Sequence, residues 1–240
     1  MNPTEAPAAI EFEPDLGVAR LTRAHLAVLV ADDLPTASPE ADELGAVGAI
    51  VDGGPHPALV PCLDVLRRAG ARFFLRTWRR RARRVVEGVI GPGGIVVLPG
   101  GTGPRALQDL RFHPRRAALP RVVAGLVGLA PTAGDPELPT EILGWDDVRG
   151  LSARPPPWAL GLLRPGDEVV VHDLAWQPEP GGPRGSVLVV VDLGEAGIAE
   201  VVAVDRSDPA AGYRLTPRRP EEVWLGLCRL APSPAAGGRP

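Results

Sequence analysis

Ile95-Val96-Val97-Leu98-Pro99-Gly100-Gly101-Thr102-Gly103-Pro104 is the stretch on which the fold assignment turns. Four consecutive aliphatic residues without polar alternation match a strand buried on both faces. A glycine-rich turn directly behind it suits the carboxyl end of a parallel strand, where open α/β sheets bind ligands. Working outward, Ala24-His25-Leu26-Ala27-Val28-Leu29-Val30-Ala31 is a second apolar run of strand length, followed by Asp32 and Asp33. Arg72–Leu75 reads as a strand between these two. Helices are expected over 57–69, with Leu59, Leu63 and Leu66 near one face and Gly70 as a stop, and over 80–90, where Ala82, Val85, Val86, Val89 and Ile90 recur at helical spacing. Strand, helix, strand, helix and strand with short links predict a mostly parallel sheet with right-handed crossovers.

Residues 1–22 are polar and proline-containing, an arm or an added strand. Residues 34–48 read as a loop, and a helix is expected over 115–129. Proline is dense through 131–160, an irregular connection. Four strand-like segments follow, 168–172, 186–192, 198–204 and 223–229, each bounded by turn residues; they predict a small antiparallel β domain over 161–231. A disordered tail is expected over 232–240.

Composition narrows the chemistry. The 240 residues are 45% hydrophobic but only 4% aromatic, so alanine, valine and leucine do most of the packing. All 26 basic residues are arginine. Without lysine there is no Schiff base and no phosphate-binding P-loop lysine. The net charge of −3 gives no general affinity for nucleic acid or an anionic membrane. No apolar run approaches membrane-spanning length, and the first residues lack the pattern of a secretory signal, so a cytoplasmic protein is expected. Cys62 and Cys228 lie in no paired motif and read as two reduced thiols. The histidines have no metal-ligand spacing, and no serine sits in a nucleophile elbow.

Two features suggest an anionic guest. The turn at Gly100, Gly101, Thr102 and Gly103 lets main chain approach a ligand, and Thr102 adds a hydroxyl donor. Arg76, Arg79, Arg80, Arg81, Arg83 and Arg84 crowd the end of the expected second strand and the start of the helix after it. Cations at a helix N-terminus oppose its dipole, and guanidinium groups clamp phosphates in pairs. A solvated basic face, and contact with nucleic acid or an acidic partner, account for the same run. Trp78, within it, is suited to stacking on a flat ring or to packing at a domain edge.

The order of Ala41-Asp42-Glu43-Leu44, Gly48-Ala49-Ile50-Val51-Asp52, the helix behind Pro55 and the Gly-Gly-Thr-Gly-Pro turn at 100–104 resembles the molybdopterin-binding domain family. That family includes MoaB/MogA-type adenylyltransferases and MoeA-type molybdotransferases. The resemblance spans 23–130 and implies a three-layer α/β sandwich. It implies a role in molybdenum cofactor biosynthesis or delivery, with adenylyl or molybdate transfer to the pterin if the protein is an enzyme. Gly100, Gly101, Thr102, Gly103, Asp32, Asp33, Asp52, Gly54, Arg76, Arg79 and Arg80 would then contact molybdopterin, and Asp109 would be catalytic and hold Mg2+. The chain departs from the family in having no acid in the loop Arg76-Thr77-Trp78-Arg79-Arg80-Arg81 and no lysine. Those departures support an alternative, a non-catalytic scaffold, sensor or subunit whose C-terminal β domain meets a protein partner or a second copy. An unrelated nucleotide-binding α/β enzyme is the third reading.

Overall fold

The computed structural model describes residues 9–34, 38–100, 106–129, 136–179 and 181–230. Gly101, Thr102 and Gly103 of the glycine turn lie outside the described residues, as does the tail expected over 232–240. In chain order the elements are strands β1 (Glu11–Glu13) and β2 (Val18–Thr22), helices α1 (Arg23–Val30) and α2 (Pro39–Ala46), and the short strands β3 (Ile50–Val51) and β4 (Gly54–Pro55). Next come helix α3 (Val60–Arg67) and strands β5 (Ala71–Arg79), β6 (Ala82–Gly91), β7 (Gly94–Pro99), β8 (Leu107–Asp109) and β9 (Arg111–His113). Helices α4 (Leu119–Val127), α5 (Trp145–Gly150) and α6 (Pro157–Leu162) precede strands β10 (Val170–Gln177), β11 (Gly185–Asp192), β12 (Ile198–Ala203) and β13 (Tyr213–Arg218), and helix α7 (Pro220–Leu230) closes the described chain.

The main sheet has eight strands in the order β13-β12-β11-β10-β5-β6-β7-β9. Its ladders between β10 and β11, β11 and β12, β12 and β13, β6 and β7, and β7 and β9 are all antiparallel. This overturns the mostly parallel three-layer sandwich. The error is traceable to 80–90. Those residues carry apolar side chains at helical spacing, yet they form strand β6. Residues 86–91 are buried throughout, so apolar residues are needed on both faces and the helical and strand patterns coincide. Val85, Val86, Val89 and Ile90 are β-branched and favour the strand, and Gly88 weakens a helix. With β6 a strand, no helix connects 72–75 to 95–98. Arg80-Arg81 and Pro92-Gly93 become hairpin turns, and hairpins make antiparallel neighbours.

The other expectations divide by element. The run 24–31 is not a strand but helix α1. Thr22 caps it by accepting from the His25 N–H, and His25, Leu26 and Leu29 form its buried face. The expected strand at 223–229 lies within α7. Pro220 opens that helix, Glu221 and Glu222 occupy its first turn, and Val223 and Leu227 are buried one helical turn apart. Helix α2 occupies most of the expected loop at 34–48, and α5 and α6 interrupt the expected irregular connection. The helices near 57–69 and 115–129 and the strands near 72–75, 95–98, 186–192 and 198–204 are present.

The chain divides into two compact units, Met1–Arg72 with Val85–Arg115, and Phe73–Arg84 with Arg116–Pro240. In the first, Leu26, Leu29, Leu44 and Leu63 from α1–α3 pack with Val89, Val96 and Leu98 from β6 and β7. In the second, alternate residues of β10–β13 serve two cores. Val171, Val189, Val191, Val201 and Leu215 pack with Val148 and Leu151 from the α5 segment and Ala159 of α6. Val190 and Ile198 face the other way, with Val223 of α7.

Candidate functional site

The arginine run forms the end of the β5–β6 hairpin. Five arginines, 79, 80, 81, 83 and 84, occupy six positions, and all are exposed. Arg80 and Arg81 make the two-residue turn, with Arg80 at φ 52°. A side chain with a Cβ is strained in that region by about 1 kcal/mol. Neighbouring contacts hold it. Ser152 Oγ donates to the Arg80 carbonyl at 3.3 Å. Glu168 accepts from Arg79 Nε at 2.6 Å and also pairs with Arg80. The Arg79 hydrogen bond, together with the charges of Arg79 and Arg80, holds the Glu168 carboxyl below the usual range. Arg83 lies over the ring of Trp78, 5.8 Å from its centroid, and Trp78 packs on the α5–α6 core. Trp78 is thus a packed edge residue that carries a cation on its outer face. Arg81 and Arg84 form no ion pair among the described residues.

Behind this turn are polar groups of lower exposure. Arg76 Nη1 stands 3.1 Å from Asp173 Oδ2, but neither Asp173 oxygen receives a well-aligned hydrogen bond. Burial raises the Asp173 carboxyl, against the pull of the Ser186 hydroxyl and of the Arg76 and Arg83 charges. His172 is pushed down to about 4 by burial. Its Nδ1 lies 3.1 Å from Thr77 Oγ1, and its Nε2 has no partner. His172 lines a cavity of about 260 Å3 together with Asp167, Asp192 and Glu195. These carboxylates have local work. Asp192 accepts from the Gly194 N–H, Asp167 accepts from the Arg164 N–H, and Glu195 pairs with Arg164.

The remaining expected site residues serve structural ends. Asp109 accepts from Arg20 Nε at 2.7 Å in the β2–β8 ladder. Asp32 and Asp33 are exposed in the bend after α1. Asp52 and Gly53, both with positive φ, form the two-residue turn that pairs β3 with β4, and Gly54 starts β4. Gly100 bridges Gln108, and a Cβ there would stand 2.2 Å from the Leu107 carbonyl. That glycine admits the returning β8 segment. Arg76, Arg79 and Arg80 face carboxylates of their own unit. Among the described residues no group of three or more His, Cys, Asp or Glu side chains is placed to hold a metal ion. Burial pushes the Cys62 thiol up to about 12, which keeps it protonated and unreactive. The sequence reading missed Glu168, His172 and Asp173 as partners of this region. The signal was present in Asp173, a carboxylate inside an apolar strand pattern, but no spacing tied it to Arg76.

No family model matches the chain, and no curated protein matches it. Among solved structures it is similar to the Mycobacterium tuberculosis type VII secretion system chaperone EspG5, in a complex with the PE25–PPE41 dimer. The identity is 12% and the TM-score 0.48, covering 88% of this chain and 94% of that one. A likeness at this level assigns no function. Among the described residues, no helix is long and apolar enough to cross a membrane.

Proposed function

We propose that this protein is a non-catalytic binding subunit that holds an acidic polypeptide through the β5–β6 hairpin. The observation that carries this reading is the braced arginine turn. Glu168, Ser152 and Trp78 hold its base, while Arg81 and Arg84 remain exposed without a carboxylate. Local stability does not account for the charge, because a hairpin needs neither Arg81 nor Arg84 and like charges side by side repel. Guanidinium groups carried on a braced turn can recognise carboxylates in pairs. The overall charge of −3 favours a polypeptide over nucleic acid, whose phosphate backbone calls for a more extended basic surface. The two cysteines are unpaired, one buried and one exposed, which fits a reducing compartment, and we place the protein in the cytoplasm. The sequence landmarks that resemble molybdopterin-binding domains imply a mostly parallel sandwich, which the antiparallel ladders do not form.

A fluorescent decaglutamate peptide is the test. Saturable binding is expected that weakens with salt and falls about tenfold when Arg81 and Arg84 are both changed to Glu. Binding unaffected by that double change would remove the hairpin from the interface. Tighter binding of a single-stranded DNA decamer than of the peptide would replace the polypeptide by nucleic acid.

A further inference from the structure

Strands β11 and β12 part company. β11 is paired with β10 from Val170↔Asp192 to Trp176↔Gly185, and β12 with β13 from Ile198↔Arg218 to Ala203↔Tyr213. Between β11 and β12 the ladder consists of Val190↔Glu200, Val191↔Ala199 and Asp192↔Ile198, and there it stops. The neighbouring β10–β11 ladder is irregular close by. Leu174↔Leu188 is followed by Ala175↔Ser186, which leaves Val187 as an extra residue. Such a bulge bends its strand and increases the local twist, and it lies on the part of β11 that has no ladder partner in β12.

The gap is a cavity of about 590 Å3 lined by residues 186–189 of β11, 200–203 of β12, Arg206 and Tyr213. Consecutive residues of both strands line it. Successive side chains point to opposite faces, so a pocket on one face would be lined by every second residue. Lining by consecutive residues puts the opening in the plane of the sheet, between two main chains. Main-chain direction agrees. Leu193 N–H donates to the Gly197 carbonyl, and Val204 N–H donates to the Gly212 carbonyl on the β13 side. Peptide groups alternate between the two edges of a strand. Those of Val189 are therefore turned toward β12 and those of Ala203 toward β11. Neither residue has a ladder partner across the opening.

Charge at one end is also uncommitted. Glu200 is bonded to Arg218 at 2.7 Å, and Asp205 accepts from the Ser207 N–H and hydroxyl at 2.8 and 2.6 Å. Arg206 is exposed and forms no ion pair among the described residues.

We propose that the opening between β11 and β12 accepts an extended segment of a partner polypeptide as an added strand. The segment carries apolar side chains at alternate positions and a side-chain carboxylate at the end facing Arg206. Main-chain groups supply the affinity and the valine-lined walls select the side chains, as in other strand-addition sites. Unpaired edges of this kind are otherwise a hazard that folds cover or charge. The proposal does not rest on the arginine hairpin.

Amide NMR on the whole chain tests it, with the peptide acetyl-Asp-Val-Thr-Val-Thr-Val-amide and a copy N-methylated at alternate residues. In the free protein the Ala203 amide is expected to exchange rapidly with solvent. The peptide is expected to bind saturably, shifting and protecting the amides of Val189 and Ala203. The methylated copy, and the Arg206→Glu variant with the unmethylated peptide, each bind about tenfold more weakly. The Arg206→Glu variant keeps the thermal midpoint of the parent, and the Arg81→Glu/Arg84→Glu protein binds this peptide normally. The proposal is overturned by no shift at these amides with millimolar peptide, by equal binding of the methylated copy, or by an Ala203 amide already protected in the monomer. Protection that appears only as the protein self-associates assigns the opening to a second copy and also overturns it.

Discussion

Glu87 and Asp173 are both carboxylates on strands of the main sheet, 6% and 0% exposed, and they are held in opposite ways. Glu87, in the first unit, accepts from Arg23 Nη2 at 2.7 Å on one oxygen and from Arg72 Nη1 at 3.0 Å on the other. Asp173, in the second unit, has Arg76 at 3.1 Å but no well-aligned donor, and burial raises its carboxyl. A buried charge is costly to desolvate, and only good geometry offsets that cost. Glu87 is therefore a charge the fold depends on, and Asp173 is one it tolerates. In the second unit the hairpin residues Arg81 and Arg84 meet solvent with no ion pair among the described residues.

The largest effect should come from Glu87→Ala, which strands two arginines of which Arg23 Nε and Arg72 Nε are already buried without partners. A loss of about 3–5 kcal/mol in urea-unfolding free energy is expected. Next is acid. The native His172 sits near 4 and the unfolded one near 6.5. The unfolded chain thus takes the proton first, and stability present above pH 6.5 is lost as pH falls toward 4. At roughly 1.4 kcal/mol per pH unit this amounts to about 3 kcal/mol. A His172→Gln protein should show a flatter unfolding midpoint between pH 7 and 4; equal slopes would remove His172 from the account.

Asp173→Asn tests the contrast directly. The native carboxyl titrates above the unfolded one, so it costs stability as pH rises through that interval, and the amide does not. A change within about 1 kcal/mol at pH 7 is expected in urea unfolding. A loss as large as that of Glu87→Ala would erase the distinction between the two sites. The smallest effect is expected from Arg81→Glu with Arg84→Glu, within about 0.5 kcal/mol by thermal unfolding. A larger loss would mean that the exposed arginines stabilise the hairpin itself.

Legibility followed burial. Helix α3 was readable because one face is apolar and Gly70 marks its end, and α4 because its apolar face is well defined. Strands β7, β11 and β12 were readable because aliphatic runs are bracketed by turn residues. Helix α1 and strand β6 were misread in opposite directions. Both are short apolar stretches in which almost every position is acceptable to either structure, and neighbours decide. At the site, the arginine cluster was visible as composition. Its setting was misjudged because a hairpin turn of Arg80-Arg81, with one residue at positive φ, lacks the glycine or asparagine that ordinarily announces it.

By itself the sequence determined the chemistry on offer: arginine as the sole basic side chain, few aromatics, isolated histidines and cysteines, and a dense basic run around Trp78. These are properties of residue type and survive any fold. Tertiary structure alone decided strand direction, the bracing of the arginine turn by Glu168, the burial of Asp173 and the separation of β11 from β12. Each of these depends on residues far apart in the chain. Local pattern carries no record of which distant backbone completes a hydrogen-bond ladder or which distant charge completes a pair.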